Sequence, residues 1–140
     1  MKRAKPIPEV SLWLVDGYNY LHALLLGGKK VDEWWSAEFR ARVLEDLETK
    51  LHALNSAVPT EVRLLFDGGS TADMGSGIRP ALSVEFHSDA DAAIVDACDT
   101  AKKRGISVLV VTADRALGDR CRARGASILK PWHLQTPQEH

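Results

Sequence analysis

The stretch Leu12-Trp13-Leu14-Val15-Asp16-Gly17-Tyr18-Asn19 decides the fold. A run of large apolar residues stops at a carboxylate, then a glycine, and a carboxamide follows three residues beyond the acid. Continuous apolar runs suit a strand buried on both faces, the condition of a strand inside a parallel sheet. Such sheets bind their ligands at the carboxyl ends of the strands. Asp16 therefore stands where a sheet of this kind does chemistry, and Gly17 lets the chain turn there without a Cβ clash. The pattern recurs at Leu64-Leu65-Phe66-Asp67 and at Val108-Leu109-Val110-Val111-Thr112-Ala113-Asp114.

Working outward, strand and helix alternate. Strands are expected at 11–16, 62–66, 82–86, 107–113 and 126–129, with a helical turn at 18–26 and helices at 33–54, 90–104 and 115–124. In the first long helix Phe39, Val43, Leu47, Leu51 and Leu54 recur at helical spacing. Gly105 and Gly125 end the last two helices. Residues 68–80, rich in glycine and serine, read as a loop. No internal repeat or linker divides the chain. The expectation is an α/β three-layer domain over 11–130, with a mainly parallel central sheet of about five strands, an N-terminal tail at 1–10 and a C-terminal tail at 131–140.

Composition sets the outer bounds. The 140 residues suffice for one domain with a real core, and 45% hydrophobic and 26% charged residues are ordinary for a globular protein. No apolar run reaches the ~20 residues a membrane helix needs, and the basic start Met1-Lys2-Arg3 lacks the apolar core of a signal peptide. Cys98 and Cys121 lack metal-ligand spacing and read as reduced structural thiols. The expected location is the cytoplasm.

The overall charge of −1 hides an uneven distribution. Residues 31–101 hold 14 acids and 5 Lys/Arg, a net of −9, whereas residues 102–130 hold 8 Lys/Arg against Asp114 and Asp119, a net of +6. A basic surface beside an acidic one suits a metal site that must also hold a polyanion. The plainer alternative is that basic helix ends complement the helix dipole.

Asp16, Asp67 and Asp114 close strands, and Asp89 and Asp91 open the helix at 90–104, so a parallel sheet brings all five to one rim. Crowded carboxylates repel one another, and a hard divalent cation such as Mg²⁺ or Mn²⁺, which prefers oxygen ligands, relieves that repulsion. Asn19 adds a neutral oxygen for a ligand or a water. Each acid alone has a simpler reading as a helix cap or a turn residue. Thr112 is placed to hydrogen-bond an acid or a phosphate. Arg115 is the best single candidate for a phosphate contact, with Arg122 two turns along the same face and Arg79 in the 68–80 loop as further phosphate contacts. Of the histidines, His87 lies nearest the rim, and Trp34 and Trp35 offer aromatic surface for stacking bases. The sequence lacks the Asp-x-Asp of HAD-type phosphatases, the acid pair of response-regulator receivers and the Gly-x-Gly-x-x-Gly of dinucleotide-binding folds.

At these residues the chain resembles a known family. Val15-Asp16-Gly17-Tyr18-Asn19 resembles the DGYN signature of the NYN-type ribonucleases of the bacterial YacP-like branch, relatives of PIN-domain nucleases. Ser88-Asp89-Ala90-Asp91-Ala92-Ala93-Ile94 is similar to its T-A-D-x-x-I segment, and Val111-Thr112-Ala113-Asp114-Arg115 to its V-T-S-D-R segment. The resemblance implies a PIN-like fold and Mg²⁺- or Mn²⁺-dependent cleavage of RNA leaving a 5′-phosphate. It implies a catalytic set of Asp16, Asn19, Asp91 and Asp114, with Asp16, Asp91 and Asp114 on the metal and Asp67, Asp89 and Thr112 in support. Asp89 and Asp91 compete for the ligand role, and the spacing to Ile94 favours Asp91. Single-stranded RNA is the implied partner, with ribosome-bound mRNA and pairing into a homodimer left open. The rival reading is a non-catalytic PIN-like adaptor that binds RNA or the ribosome.

Overall fold

The computed structural model describes residues 10–25, 37–54, 59–68 and 82–134. Five strands, β1 (Leu12–Asp16), β2 (Glu61–Asp67), β3 (Leu82–His87), β4 (Val108–Val111) and β5 (Ser127–Leu129), form one sheet in the order β3-β2-β1-β4-β5. Every pairing is parallel. The expected architecture is present, and the sheet is parallel throughout rather than mainly so.

β1 occupies the centre because its residues are apolar on both faces. Trp13 and Val15 pack with Val43, Leu47 and Leu51 of α2 (Ala37–Leu54) on one side. Leu12 and Leu14 pack on the other side with Ile94, Val95 and Cys98 of α3 (Ala90–Arg104) and with Leu117 and Cys121 of α4 (Arg115–Arg122). Burying a strand on both faces removes its whole apolar surface from water, worth about 1.5–3 kcal/mol per large side chain. The short helix α1 (Gly17–Tyr20) follows β1 directly and continues as one π-helical turn, Leu21–Leu25, where an ordinary helical turn is expected.

Element bounds follow the sequence closely at α3, which ends where Gly105 takes a left-handed φ of 69°. β4 is shorter than the strand expected at 107–113, because Thr112 and Asp114 have other work at the strand end. Residues 69–81 with Arg79, the segment 26–36 with Trp34 and Trp35, and the tail from 135 lie outside the described residues. No helix among the described residues is long and apolar enough to cross a membrane.

Candidate active site

The strand order reverses between β1 and β4, and an open parallel sheet has its crevice at that switch point. The C-terminal ends of these two strands carry Asp16 on one side and Thr112 to Asp114 on the other. Gly17 makes the turn after Asp16 possible. A Cβ there would run into the Phe66 ring and sit 2.9 Å from the Leu65 carbonyl oxygen. β2 lies so close that only glycine fits beneath it, a packing constraint rather than one of backbone torsion.

A short hydrogen-bond chain locks the two strand ends together. The Thr112 hydroxyl donates to Asp16 Oδ2 at 3.1 Å and accepts from the Asp114 backbone amide at 3.1 Å. Asn19 Oδ1 accepts from the Ala113 amide at 2.6 Å. The Asn19 carboxamide oxygen, expected to ligate or orient water, thus ties α1 to the turn between β4 and α4.

The other acids divide their labour. Asp89 is the N-cap of α3, its carboxylate accepting from the Ala92 amide at 3.0 Å. Asp67 reaches across from the end of β2 to accept from the Ala90 amide at 2.7 Å. Asp114 caps α4 through the Leu117 amide at 3.1 Å. Asp91 lies inside the first turn of α3, whose cap is supplied by Asp89 and Asp67. Asp89 is thus engaged in capping, and Asp91 is left outside the cap.

Electrostatics joins these groups across the rim. Asp16 is only 9% exposed. Burial pushes its carboxyl from the ordinary 3.8 up to about 7, and the charges of Asp91 and Asp67 push the same way; the Thr112 hydroxyl and the Asn19 amide oppose them. Asp91 is raised as well, first by burial and then by the charges of Asp114, Asp67 and Asp89, while Arg120 opposes. Perturbed acids that are coupled to one another and gathered at a crevice mark a candidate site.

Whether this set fits a metal ion has two sides. All the groups are hard oxygen donors, and a divalent cation would offset the repulsion that lifts Asp16 and Asp91. Yet among the described residues no group of three or more His, Cys, Asp or Glu side chains is close enough to hold an ion. The expected acidic metal site is not preformed among the described residues, whose acids share a rim without closing on a common point. The helix N-termini explain it, since Asp67, Asp89 and Asp114 each spend one carboxylate oxygen on a backbone amide. Each carboxylate keeps a second oxygen, so the donor set still fits in kind.

The basic residues are placed more diversely than the sequence suggested. Arg115 opens α4 beside Asp114, at the rim. Arg122 ends the same helix and pairs with Asp119 at 3.1 Å, both side chains well exposed. Lys102, Lys103 and Arg104 fill the last turn of α3, where they complement the helix dipole. His87 hydrogen-bonds Glu85 at 2.8 Å, and Glu85 is also gripped by Arg63. Arg40 is a cation that the spacing gave no reason to single out. It lies buried at the start of α2, donates to the Tyr18 hydroxyl at 3.2 Å and stands over the Phe86 ring at 5.4 Å.

An all-parallel sheet in this order, with acids gathered where the order reverses, is the arrangement of a PIN-like domain. The chain belongs to the YacP-like NYN domain family, whose family model matches residues 13–139. Among solved structures it is similar to Rae1 (YacP) from Bacillus subtilis. A tryptophan-to-leucine variant of that protein aligns with a TM-score of 0.62 and 20% identity over 89% of this chain and 72% of the other. A second Rae1 (YacP) crystal structure aligns with a TM-score of 0.62 and 18% identity over 88% and 70%. Likeness at this identity speaks for the fold. No functionally curated protein matches the chain.

Proposed function

We propose that the protein is a metal-dependent ribonuclease that hydrolyses phosphodiester bonds of single-stranded RNA at the rim between β1 and β4. The observation that carries this reading is the electrostatic coupling of acids from separate elements around the buried carboxyl of Asp16. Membership of a family within the PIN-like nuclease superfamily supports it.

Asp16, Asp91 and Asp114 would hold Mg²⁺ or Mn²⁺, which when bound supplies a nucleophilic hydroxide near neutral pH and neutralises charge on the phosphate. The remaining chemistry belongs to the chain itself. Asp16 is buried beside Asp91 and Asp67, so a bound cation would offset the repulsion and hold its carboxylate ionised. Thr112 holds that carboxyl in place, Asn19 fixes the turn carrying Asp114, and Arg115 meets the phosphate backbone. Asp67 and Asp89 support by anchoring the start of α3, so that Asp91 faces the rim.

The test is cleavage of single-stranded RNA by the purified protein with Mn²⁺ or Mg²⁺, stopped by EDTA. Asp16→Asn should lower the rate about a hundredfold or more, the loss of an electrostatic contributor on the order of 3 kcal/mol. The adaptor reading draws on the acids that do not close on a common point. RNA binding without metal-dependent cleavage, unchanged by Asp16→Asn, would establish it instead.

A further inference from the structure

α1 is four residues long, too short to hold a helical conformation by its own backbone bonds. Its N-cap, Asp16, makes no side-chain cap bond. What fixes the direction of this turn is the set of contacts its side chains make with other elements. Asn19 and Tyr20 are consecutive, so on a helix they point about 100° apart and reach different neighbours. Asn19 reaches the rim, where its Oδ1 accepts from the Ala113 amide at 2.6 Å. Tyr20 reaches into the α2 layer and is wholly buried there.

The Tyr20 hydroxyl is one corner of a closed triangle. It donates to Asp46 Oδ2 at 2.6 Å and accepts from Lys50 Nζ at 3.0 Å. Lys50 and Asp46, one helical turn apart on α2, pair with each other at 3.0 Å, and the Lys50 ammonium stands 5.1 Å from the centre of the Tyr20 ring. Hydrogen bonds to charged partners are short and strong, and both bonds of this hydroxyl are of that kind. Burial and the Asp46 carboxylate push the phenol far up from its ordinary range, so it remains a donor at any ordinary pH. Packing needs only the ring; the hydroxyl, Asp46 and Lys50 together add direction.

At the other end of this chain of contacts, Asn19 holds the middle of the turn Thr112-Ala113-Asp114. Thr112 is tied to Asp16, and the Asp114 amide is tied to Thr112. The turn therefore has two holds on the β1 side, and the one through Ala113 depends on where α1 points.

We propose that Tyr20 is a positioning residue of the rim: clamped by Asp46 and Lys50, it aims α1 so that Asn19 keeps the β4–α4 turn, and with it Asp114, in register with Asp16. The consequence for cleavage rests on the function proposed above, whereas the clamp does not.

Amide hydrogen exchange on the full chain, followed residue by residue by NMR, tests the clamp without metal or RNA. In Tyr20→Phe the Ala113 amide should exchange about tenfold or more faster, and by a larger factor than Leu14 and Val110 in the central strands, as local opening requires. In an Asn19→Ala background, where that amide has already lost its acceptor, Tyr20→Phe should add nothing further at Ala113 beyond the change at Leu14 and Val110. Asp46→Ala carries the same test should Tyr20→Phe not fold, and Asp46→Asn, which keeps an acceptor for the hydroxyl, should hold Ala113 close to the parent rate. An Ala113 rate that moves only in step with Leu14 and Val110 would show that Tyr20 serves stability alone and would overturn the proposal. With RNA as substrate, Tyr20→Phe should lower kcat about tenfold or more and leave KM nearly unchanged, as misplacement of a reacting geometry does. An unchanged kcat beside a deprotected Ala113 overturns the link from clamp to chemistry. A parent protein that cleaves no RNA counts against the proposed function, and the exchange rates still decide the clamp.

Discussion

A single carboxyl, that of Asp16, sets a measurable pH signature. Its pKa in the fold is about 7 against an ordinary 3.8, so the folded state favours the protonated form. Its contribution to stability is complete below about pH 4 and is lost as pH rises toward 7, above which the ionised group destabilises the fold. Asp16→Asn removes the titration while keeping the shape and an acceptor for Thr112. The variant should match the parent near pH 4 and exceed it above pH 7, by roughly a few kcal/mol at most. Chemical denaturation at a series of pH values checks this, and a constant difference across the range would refute the raised pKa. The same carboxyl therefore gives up stability at neutral pH to stand at the crevice, a common trade at functional sites.

At the scale of the helix, the start of α3 separates capping from chemistry within three residues. Asp89→Ala removes the acceptor of the Ala92 amide and should cost about 1 kcal/mol of stability, with cleavage largely kept. Asp91→Ala should leave the melting temperature unchanged or slightly higher, because it relieves repulsion with Asp114 and Asp67, while cleavage is abolished. Paired thermal melts and RNA assays would show the crossover; the reverse pattern would reassign the site to Asp89. The sequence made the element legible, since Ser88-Asp89-Ala90-Asp91 carries the cap signal and Gly105 the stop. It left the choice between the two acids to spacing, because a cap is defined by which amide a carboxylate meets. Contacts between elements were beyond its reach. Nothing near Arg40 announces Phe86, and nothing in α3 announces that Cys98 joins Cys121 in one apolar cluster, for such meetings follow from sheet order. The acids were legible as a set because each ends a strand or begins a helix, but their failure to close on one point was not, since the competing helix amides become visible only in the fold.

Among the described residues, charge is distributed unevenly along the helices. Acids crowd the carboxyl edge of the sheet, while the last turns of α3 and α4 carry Lys102, Lys103, Arg104, Arg120 and Arg122. Of the two described arginines expected to grip RNA, Arg115 opens a helix at the rim, and Arg122 stands two turns away paired with Asp119. Backbone contacts release counterions, with a log–log salt slope of roughly −0.7 per phosphate on a single strand. Arg115→Ala should flatten that slope by about one contact and weaken binding for all sequences alike, and Arg122→Ala should leave both unchanged. Salt titrations of RNA binding measure this. Equal effects from the two variants would place RNA along the length of α4 rather than across its start.

The central position of β1 has a further consequence while the chain is being made. Leu12 pairs with Glu61 on one side and with Val108 on the other, so the central strand is the first of the five to be synthesised and gains its second neighbour only with β4. At about 5–20 residues per second, it waits several seconds for its first neighbour and about twice as long for its second. Until β2 arrives Leu12, Trp13, Leu14 and Val15, apolar on both faces, lack a partner on either edge, and one edge stays open until β4, the kind of segment that invites aggregation. The geometry that shelters Asp16 in the finished protein thus leaves the apolar strand before it open on one edge until β4 arrives.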